Sequence, residues 1–336
     1  MIYHVTHQLG GGTQKHIDDL IKLYPNETHK ILNTTPFTIN NVDKIKLVHI
    51  HSTMFGYHIG WDVLRLIDHL NQKHIPVYLT IHDYQWLFTI NPAPTTEDFE
   101  TIQPKEEDLK NCTELLHKVN KILIPSPRLY DNYKRYVKNM PDNKIFVVPH
   151  CDIPIRYKQL KIPTITESIN IAFIGTPIIY KGIKHFFQLS NILEQYYDIP
   201  IKYYLFGGTT VIDKDNIIEK GPYQDVTLIE QLHSNNIHIV LSISTAEETY
   251  CYSLSQLINS GLPIVYFNRG ALTTRLSTSH QSSRFFPVNS SNMLELQQKV
   301  IEAIKYVNTK PSDNYIEQSN QVILNDFYKN NYLPNE

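Results

Sequence analysis

Apolar positions along this chain fall into a repeating order. A short apolar run comes first, then a loop of small or acidic residues, then apolar positions three and four apart. The short runs at 2–6, 46–51, 75–81, 121–125 and 144–149, and again at 169–175, 201–207, 237–243 and 262–267, read as strands. The three-and-four spacing predicts helices between them. Ile17, Leu20 and Ile21 lie on one face of 14–23, and Leu254, Leu257 and Ile258 on one face of the helix after 253. Further helical patterns cover 61–70, 109–119, 184–195, 225–234, 270–276 and 293–307, and Ser126–Pro127 opens one over 128–137. Strands alternating with helices argue for parallel α/β sheets.

The rhythm breaks once in the middle. Residues 151–168 carry prolines and little periodicity, which marks a linker between two Rossmann-like halves. The expected division is 1–158 and 159–310, with 311–336 as a C-terminal helical segment that either packs back on the first half or frays. A proline-rich, acidic stretch at 91–108 reads as an inserted loop. With 336 residues the chain has ample length for two cores.

Composition narrows the partners. A formal charge of −2 and a pI near 6.8 give no electrostatic footprint for nucleic acid. No apolar stretch approaches the roughly 20 residues that span a bilayer, so membrane contact is at most peripheral. The first residues enter a strand directly, without a signal-peptide pattern. Three scattered cysteines suggest no disulfide framework and fit a reducing, cytoplasmic compartment.

The chemistry concentrates in the second half. The strand at 237–243 runs into an acidic loop holding Glu248, then a helix, a glycine stop at Gly261 and another strand. In such a unit ligands bind at the carboxyl ends of the strands, where the helix N-terminus offers free amides to an anion. The loop from Gly175 to Gly182 places Lys181 at another strand end, where it can neutralise a diphosphate. Glu248 would repel phosphate and is better suited to accept hydrogen bonds from sugar hydroxyls. Gly221–Pro222–Tyr223 offers an aromatic ring and amides for a base. Diphosphate, sugar and base together describe a nucleotide-sugar.

Other signals stay weaker. Gly10–Gly11–Gly12 after the first strand matches neither the dinucleotide fingerprint nor a P-loop. His49 and His51 share a strand face without a third metal ligand at a recognisable spacing, so no metal site is expected there. His82–Asp83 sits at a strand end, where catalytic groups gather in open sheets. Asp213–Lys214–Asp215 has the form of a metal-binding acidic pair but reads as a solvated loop. Tyr84 and Trp86 suit either sugar stacking or burial.

GGGTQKH, the strand-end HDY, the Lys181–Gly182 pair and EETYCYSLSQLINSGLPIVYFNRGA together resemble family-4-type retaining glycosyltransferases of the GT-B fold, also called glycosyltransferase group 1. The resemblance covers most of the chain and is poor over 85–120. It implies an α/β chain of two Rossmann-like domains facing across a cleft, with the donor held by the second. It further implies a metal-independent hexosyl- or deoxyhexosyltransferase that needs no cofactor. The partners would be a nucleotide-diphosphate sugar as donor and a glycan, lipid or protein hydroxyl as acceptor. On it, Glu248 contacts the donor sugar, Lys181 the diphosphate, and His82 lies near the reacting sugar. Gly11, Gly12 and Gly175 approach the phosphates, and the backbone of Thr249, Tyr250, Cys251, Tyr252 and Ser253 cradles the sugar diphosphate. Gln256 stands where the family carries a second, ribose-binding glutamate. That exchange, with the absence of a second cation near Lys181, leaves a catalytically impaired sugar-nucleotide-binding protein as the alternative.

Overall fold

The computed structural model describes residues 1–6, 10–39, 42–55, 58–89, 93–152, 162–209, 216–277, 282–290, 292–309 and 325–334. The chain divides into two compact units, Met1–Ile153 with Ile323–Glu336, and Pro154–Val322.

In chain order the first unit contains β1 (Ile2–Val5), α1 (Gly11–Leu23), β2 (His29–Leu32) and β3 (Leu47–Ile50). A small antiparallel pair follows, β4 (Met54–Phe55) and β5 (His58–Ile59), then α2 (Val63–Gln72) and β6 (Val77–Thr80). Next come α3 (Asp98–Thr101), α4 (Glu106–Lys118), β7 (Lys121–Ile124), α5 (Pro127–Tyr136) and β8 (Ile145–Val147). The second unit contains β9 (Ile169–Ile174), α6 (Ile183–Ile192), β10 (Ile201–Phe206), β11 (Ile217–Gly221), α7 (Asp225–Ser234), β12 (Ile239–Ser242) and α8 (Tyr252–Ser260). It closes with β13 (Ile264–Phe267), α9 (Gly270–Ser277), β14 (Phe285–Val288) and α10 (Met293–Thr309), after which α11 (Asp326–Asn330) belongs to the first unit.

Each unit is built on a parallel six-stranded sheet, ordered β2-β1-β3-β6-β7-β8 and β11-β10-β9-β12-β13-β14. The inner strands β3, β6, β9, β12 and β13 are buried along their whole length, as both faces of a parallel sheet are covered by helices. Val63, Leu66, Ile67 and Leu70 put one stripe of α2 into the first unit's main core, each burial contributing about 1.5–3 kcal/mol before entropy is counted. The second unit has an apolar cluster on each face of its sheet.

The first sheet's other face is unusual. Its apolar cluster is small, formed by residues such as Ile2, Leu20 and Leu47 with Phe327, Tyr328 and Tyr332. α1 turns His16 and Asp19 inward beside Ile17 and Leu20. Histidines fill the remaining space. Among the described residues no helix is long and apolar enough to cross a membrane. The 213–215 triplet and most of the tail 312–333 lie outside the described residues.

Candidate functional site

Two loops of the second unit carry the predicted chemistry. The first leaves β9 at Gly175, whose φ of 137° lies outside the usual range of L-residues, and whose N–H donates to Phe206 O at 2.8 Å. Its turn ends in Lys181 and Gly182. Gly182 has φ 91°, and a Cβ there would lie 1.9 Å from the Ile243 carbonyl oxygen. Only glycine lets this loop reach the end of β12. The two loops are then tied at one acceptor: Tyr180 O takes hydrogen bonds from Thr245 N–H at 2.8 Å and Ser244 Oγ at 2.9 Å.

Those ties bring Lys181 and Glu248 together. Lys181 Nζ lies 2.5 Å from Glu248 Oε1, with side chains 31% and 12% exposed. Burial works against the lysine's charge, but the adjacent carboxylate outweighs it and raises its pKa. Lys181 is therefore a fixed cation. Glu248 is held from behind by the segment after β13. Its carbonyl accepts from Ala271 N–H at 2.6 Å, and a Cβ on Gly270 would come within 2.5 Å of that same oxygen. Arg269 Nη1 donates to Thr245 O at 2.8 Å. The NRGA motif is a backing plate for the glutamate loop.

The chain then enters α8 through Cys251, a non-glycine residue in the left-handed region at φ 65°. Such backbone costs about 1–3 kcal/mol and persists only where surroundings hold it. Arg275 supplies the hold. Its Nη1 donates to Tyr250 O at 3.0 Å and Cys251 O at 2.8 Å, its Nη2 to Ser255 Oγ at 2.7 Å, and its guanidinium sits 4.1 Å from the Tyr250 ring centroid. At the far end of α8, buried Arg284 donates to Ile258 O at 2.7 Å and Leu262 O at 2.6 Å, a cation where the helix dipole is negative.

The other expected residues fall as follows. Thr249, Cys251, Tyr252 and Ser253 are half-buried, and Tyr250 is buried. Gln256 is 2% exposed, on the inner side of α8. Tyr223 is half-buried just beyond β11, packed against the cluster that includes Leu254 and Leu257. Tyr84 and Trp86 are each 1% exposed and belong to the first unit's core.

Gly11, Gly12 and His82 belong to the first unit. Gly11 and Gly12 are exposed and open α1, with Gly11 at φ 61°. His82 follows β6 and is 8% exposed. Beside it, burial pushes the Asp83 carboxyl up to about 6 against the opposing hydrogen bond from Gln85 N–H.

Around His82 the structure gathers histidines that sequence spacing left scattered. β1 pairs with β3 so that His4 lies opposite His49. His51 stands two residues further on, and α1 lays His16 over them. His4, His16, His49 and His51 are each 0% exposed. Their potential ligand atoms fall into two triads, His4–His49–His51 and His16–His51–His82, each within 4.8 Å. The third histidine that His49 and His51 lack in the sequence is thus supplied across the sheet. Burial, reinforced by the neighbouring imidazoles, lowers His4 to about 3 and holds His16, His49 and His51 well below the ordinary histidine value. They are neutral. His49 bonds through both nitrogens, to Tyr332 OH at 2.8 Å and Thr80 Oγ1 at 2.7 Å.

No family model matches this chain, and no curated protein matches it in sequence. Solved structures do resemble it. HepE of Anabaena, solved with UDP and glucose, aligns with a TM-score of 0.60 at 11% identity, covering 91% of this chain and 93% of that chain. A glycosyltransferase from Rickettsia africae ESF-5 gives 0.61 at 12% identity, covering 92% and 89%. WaaG, a glycosyltransferase involved in lipopolysaccharide biosynthesis, gives 0.57 at 9% identity, covering 92% of each. At these identities the likeness is one of fold. Two parallel six-stranded sheets with flanking helices, in this strand order and matched over most of the chain, are the GT-B fold.

Proposed function

We propose that this protein is a retaining, metal-independent glycosyltransferase that moves a hexosyl or deoxyhexosyl group from a nucleoside-diphosphate sugar to a hydroxyl of a glycan, lipid or protein. The observation that carries the reading is the Lys181–Glu248 pair, locked by Gly182 and Gly270 at the carboxyl ends of β9 and β12. HepE, a structural neighbour, has been solved with UDP-glucose, which supports a nucleotide-sugar donor here.

In this reading the ammonium of Lys181 has three donors, so it can keep Glu248 while a second donor meets a phosphate oxygen. The Glu248 carboxylate keeps lone pairs for sugar hydroxyls. As the bond between the anomeric carbon and the diphosphate breaks, charge builds on the departing oxygen. In this reading Lys181 and the positive end of the α8 dipole meet it, and such preorganised charges need no rearrangement in the transition state. Retention follows from attack on the same face, with the leaving phosphate taking the hydroxyl proton.

A second reading, a sugar-nucleotide-binding protein without turnover, is favoured by buried Gln256 in place of a carboxylate. One experiment separates them. Thermal shifts with UDP-, GDP- and dTDP-sugars identify the donor by mass action, and release of the free nucleoside diphosphate then reports turnover. Stabilisation with release supports transfer, and stabilisation without it supports binding alone. No stabilisation by any nucleotide-sugar rejects both.

A further inference from the structure

The histidines on the first sheet meet through their ring nitrogens, in a chain of imidazoles that runs across β1 and β3. His4 Nε2 lies 3.0 Å from His29 Nδ1, and His4 Nδ1 lies 3.1 Å from His51 Nε2. His51 Nδ1 in turn lies 3.1 Å from His82 Nε2. Strand pairing sets His4 opposite His49, and the rings of His49 and His51 have centres 4.0 Å apart. Three rings thus converge from two neighbouring strands. His4, His49 and His51 are each 0% exposed, with one nitrogen apiece within 4.8 Å of the other two.

These separations approach those of a coordination site. Nitrogens about 2.05 Å from a tetrahedral zinc lie about 3.3 Å from one another. The 3.1 Å between His4 Nδ1 and His51 Nε2 is already close to that edge, and ring rotation closes the others from at most 4.8 Å. Each ring also has an outer partner for its second nitrogen, which is how metal-bound imidazoles are oriented. His29 serves His4, His82 serves His51, and Tyr332 OH or Thr80 Oγ1 serves His49. Binding costs the hydrogen bond between His4 and His51 and one of the two at His49. The donors are all imidazole nitrogen, a set that suits Zn2+ or Co2+ rather than Mg2+ or Ca2+.

The other triad, His16–His51–His82, fails this test. His16 Nδ1 accepts from the Cys151 N–H at 3.1 Å, so the ring's proton is on Nε2 and no lone pair remains for a metal. Among the described residues this buried Nε2 has no hydrogen-bond partner. A buried donor left in that state is costly. The His16 ring centre lies 5.5 Å from that of His51 and 6.1 Å from that of His49. An oxygen ligand in the fourth position of a metal held by the first triad would offer it an acceptor.

We propose that His4, His49 and His51 bind one divalent transition-metal ion of the zinc kind, which clasps β1 to β3 inside the first unit. The role is structural. The three rings are closed to solvent, so the ion is taken up as the unit folds. Transfer at Lys181 and Glu248 does not use it, and the two readings stand or fall separately.

The test is metal analysis of the tag-free full chain from zinc-supplemented culture, joined to X-ray absorption at the zinc edge. The expected result is one zinc per chain, with three imidazole nitrogens at about 2.0 Å. Co2+ in its place should give the visible spectrum of a tetrahedral site, and Mg2+ should displace neither. His49→Gln keeps amide groups for Tyr332 and Thr80 but removes the ligand nitrogen. Metal affinity should then fall by more than about 100-fold, beyond the loss of an outer partner alone. His16→Gln should still hold one ion. A zinc-free chain, coordination mainly by oxygen or sulfur, or displacement by Mg2+ overturns the site. So does a metal content unchanged by His49→Gln, which would mark an adventitious ion only, or an ion lost in His16→Gln. If His49→Gln does not fold, the absorption spectrum of the wild-type chain decides, since fewer than three imidazoles rejects the triad. Bound zinc without turnover would count against glycosyl transfer alone, and turnover by a zinc-free chain against the metal alone.

Discussion

The carbonyl oxygen of Ile243 occupies the place where a side chain on Gly182 would begin, 1.9 Å from the ideal Cβ position. Neither side of that contact can yield cheaply, because one is strand-end backbone and the other sits at φ 91°. Gly182→Ala should cost on the order of 2–4 kcal/mol, combining overlap with left-handed strain. Urea denaturation measures it. A change within about 0.5 kcal/mol, the range of an ordinary surface substitution, would mean that the loop is not locked as described.

Removing the cation should separate function from stability. Lys181 is nearly a third exposed, so its ion pair contributes at most about 1 kcal/mol to folding. Lys181→Ala should nevertheless lower kcat/KM by about 10²- to 10³-fold with the nucleotide-sugar that the screen identifies. Turnover that survives the change would move the diphosphate site elsewhere.

Arg275 holds the strained entry to α8 through three hydrogen bonds. Arg275→Ala should lose about 2–3 kcal/mol and weaken donor binding, since Cys251 is released from its left-handed conformation. Arg275→Lys should restore little, because a single ammonium cannot reproduce the planar fork. Comparing donor affinity for both variants by calorimetry checks this; full recovery with lysine would contradict it.

The buried position of Gln256 changes what its replacement should do. Gln256→Glu would place a carboxylate where the amide is 2% exposed. The expected outcome is a loss of about 1–3 kcal/mol at neutral pH, with part of it regained on acidification as the new carboxyl protonates. A variant as stable as the parent, with tighter donor binding, would show instead that this position reaches the ribose.

The histidine face predicts acid sensitivity. His4, His16, His49 and His51 have folded pKa values below the unfolded value near 6.5. Between those values the unfolded chain binds more protons, so their contribution is complete above pH 6.5 and is lost as pH falls below it. Each imidazole removes about 1.4 kcal/mol per pH unit there, and four together approach 8 kcal/mol by pH 5, comparable to a whole domain's stability. Asp83 opposes this, since its raised pKa returns up to about 3 kcal/mol between pH 6 and 4. Denaturant midpoints measured from pH 8 to 5 should fall steeply below 6.5; a flat profile would show that the rings are solvated.

Much of this arrangement was legible in the residues. The inner strands announced themselves as apolar runs, and Lys181 and Glu248 stood after two of them. In the two six-stranded sheets the strands that went unread, β2, β11 and β14, are all edge strands. An edge strand is buried on fewer sides, so its apolar signal weakens, and β14 even accommodates Pro287. The backing role of Gly270 and the clamp of Arg275 were equally hidden, because each acts on backbone some 20 residues earlier in sequence. The histidine cluster depends on register: His4 meets His49 only once β1 and β3 have paired. Local spacing contains no record of that pairing. Tyr84 and Trp86 left two readings open, and core packing decided for burial.

The imidazole chain also sets rules for its own revision. An aliphatic core can be rewritten one side chain at a time, because each methyl group is content with any neighbour of suitable size. An imidazole chain has a syntax, in which every ring must give to one neighbour and receive from the next. Exchanging His51 for leucine would remove the partner of His82 Nε2 and of His4 Nδ1 at once. Positions 4, 29, 51 and 82 therefore behave as one word, altered together or not at all.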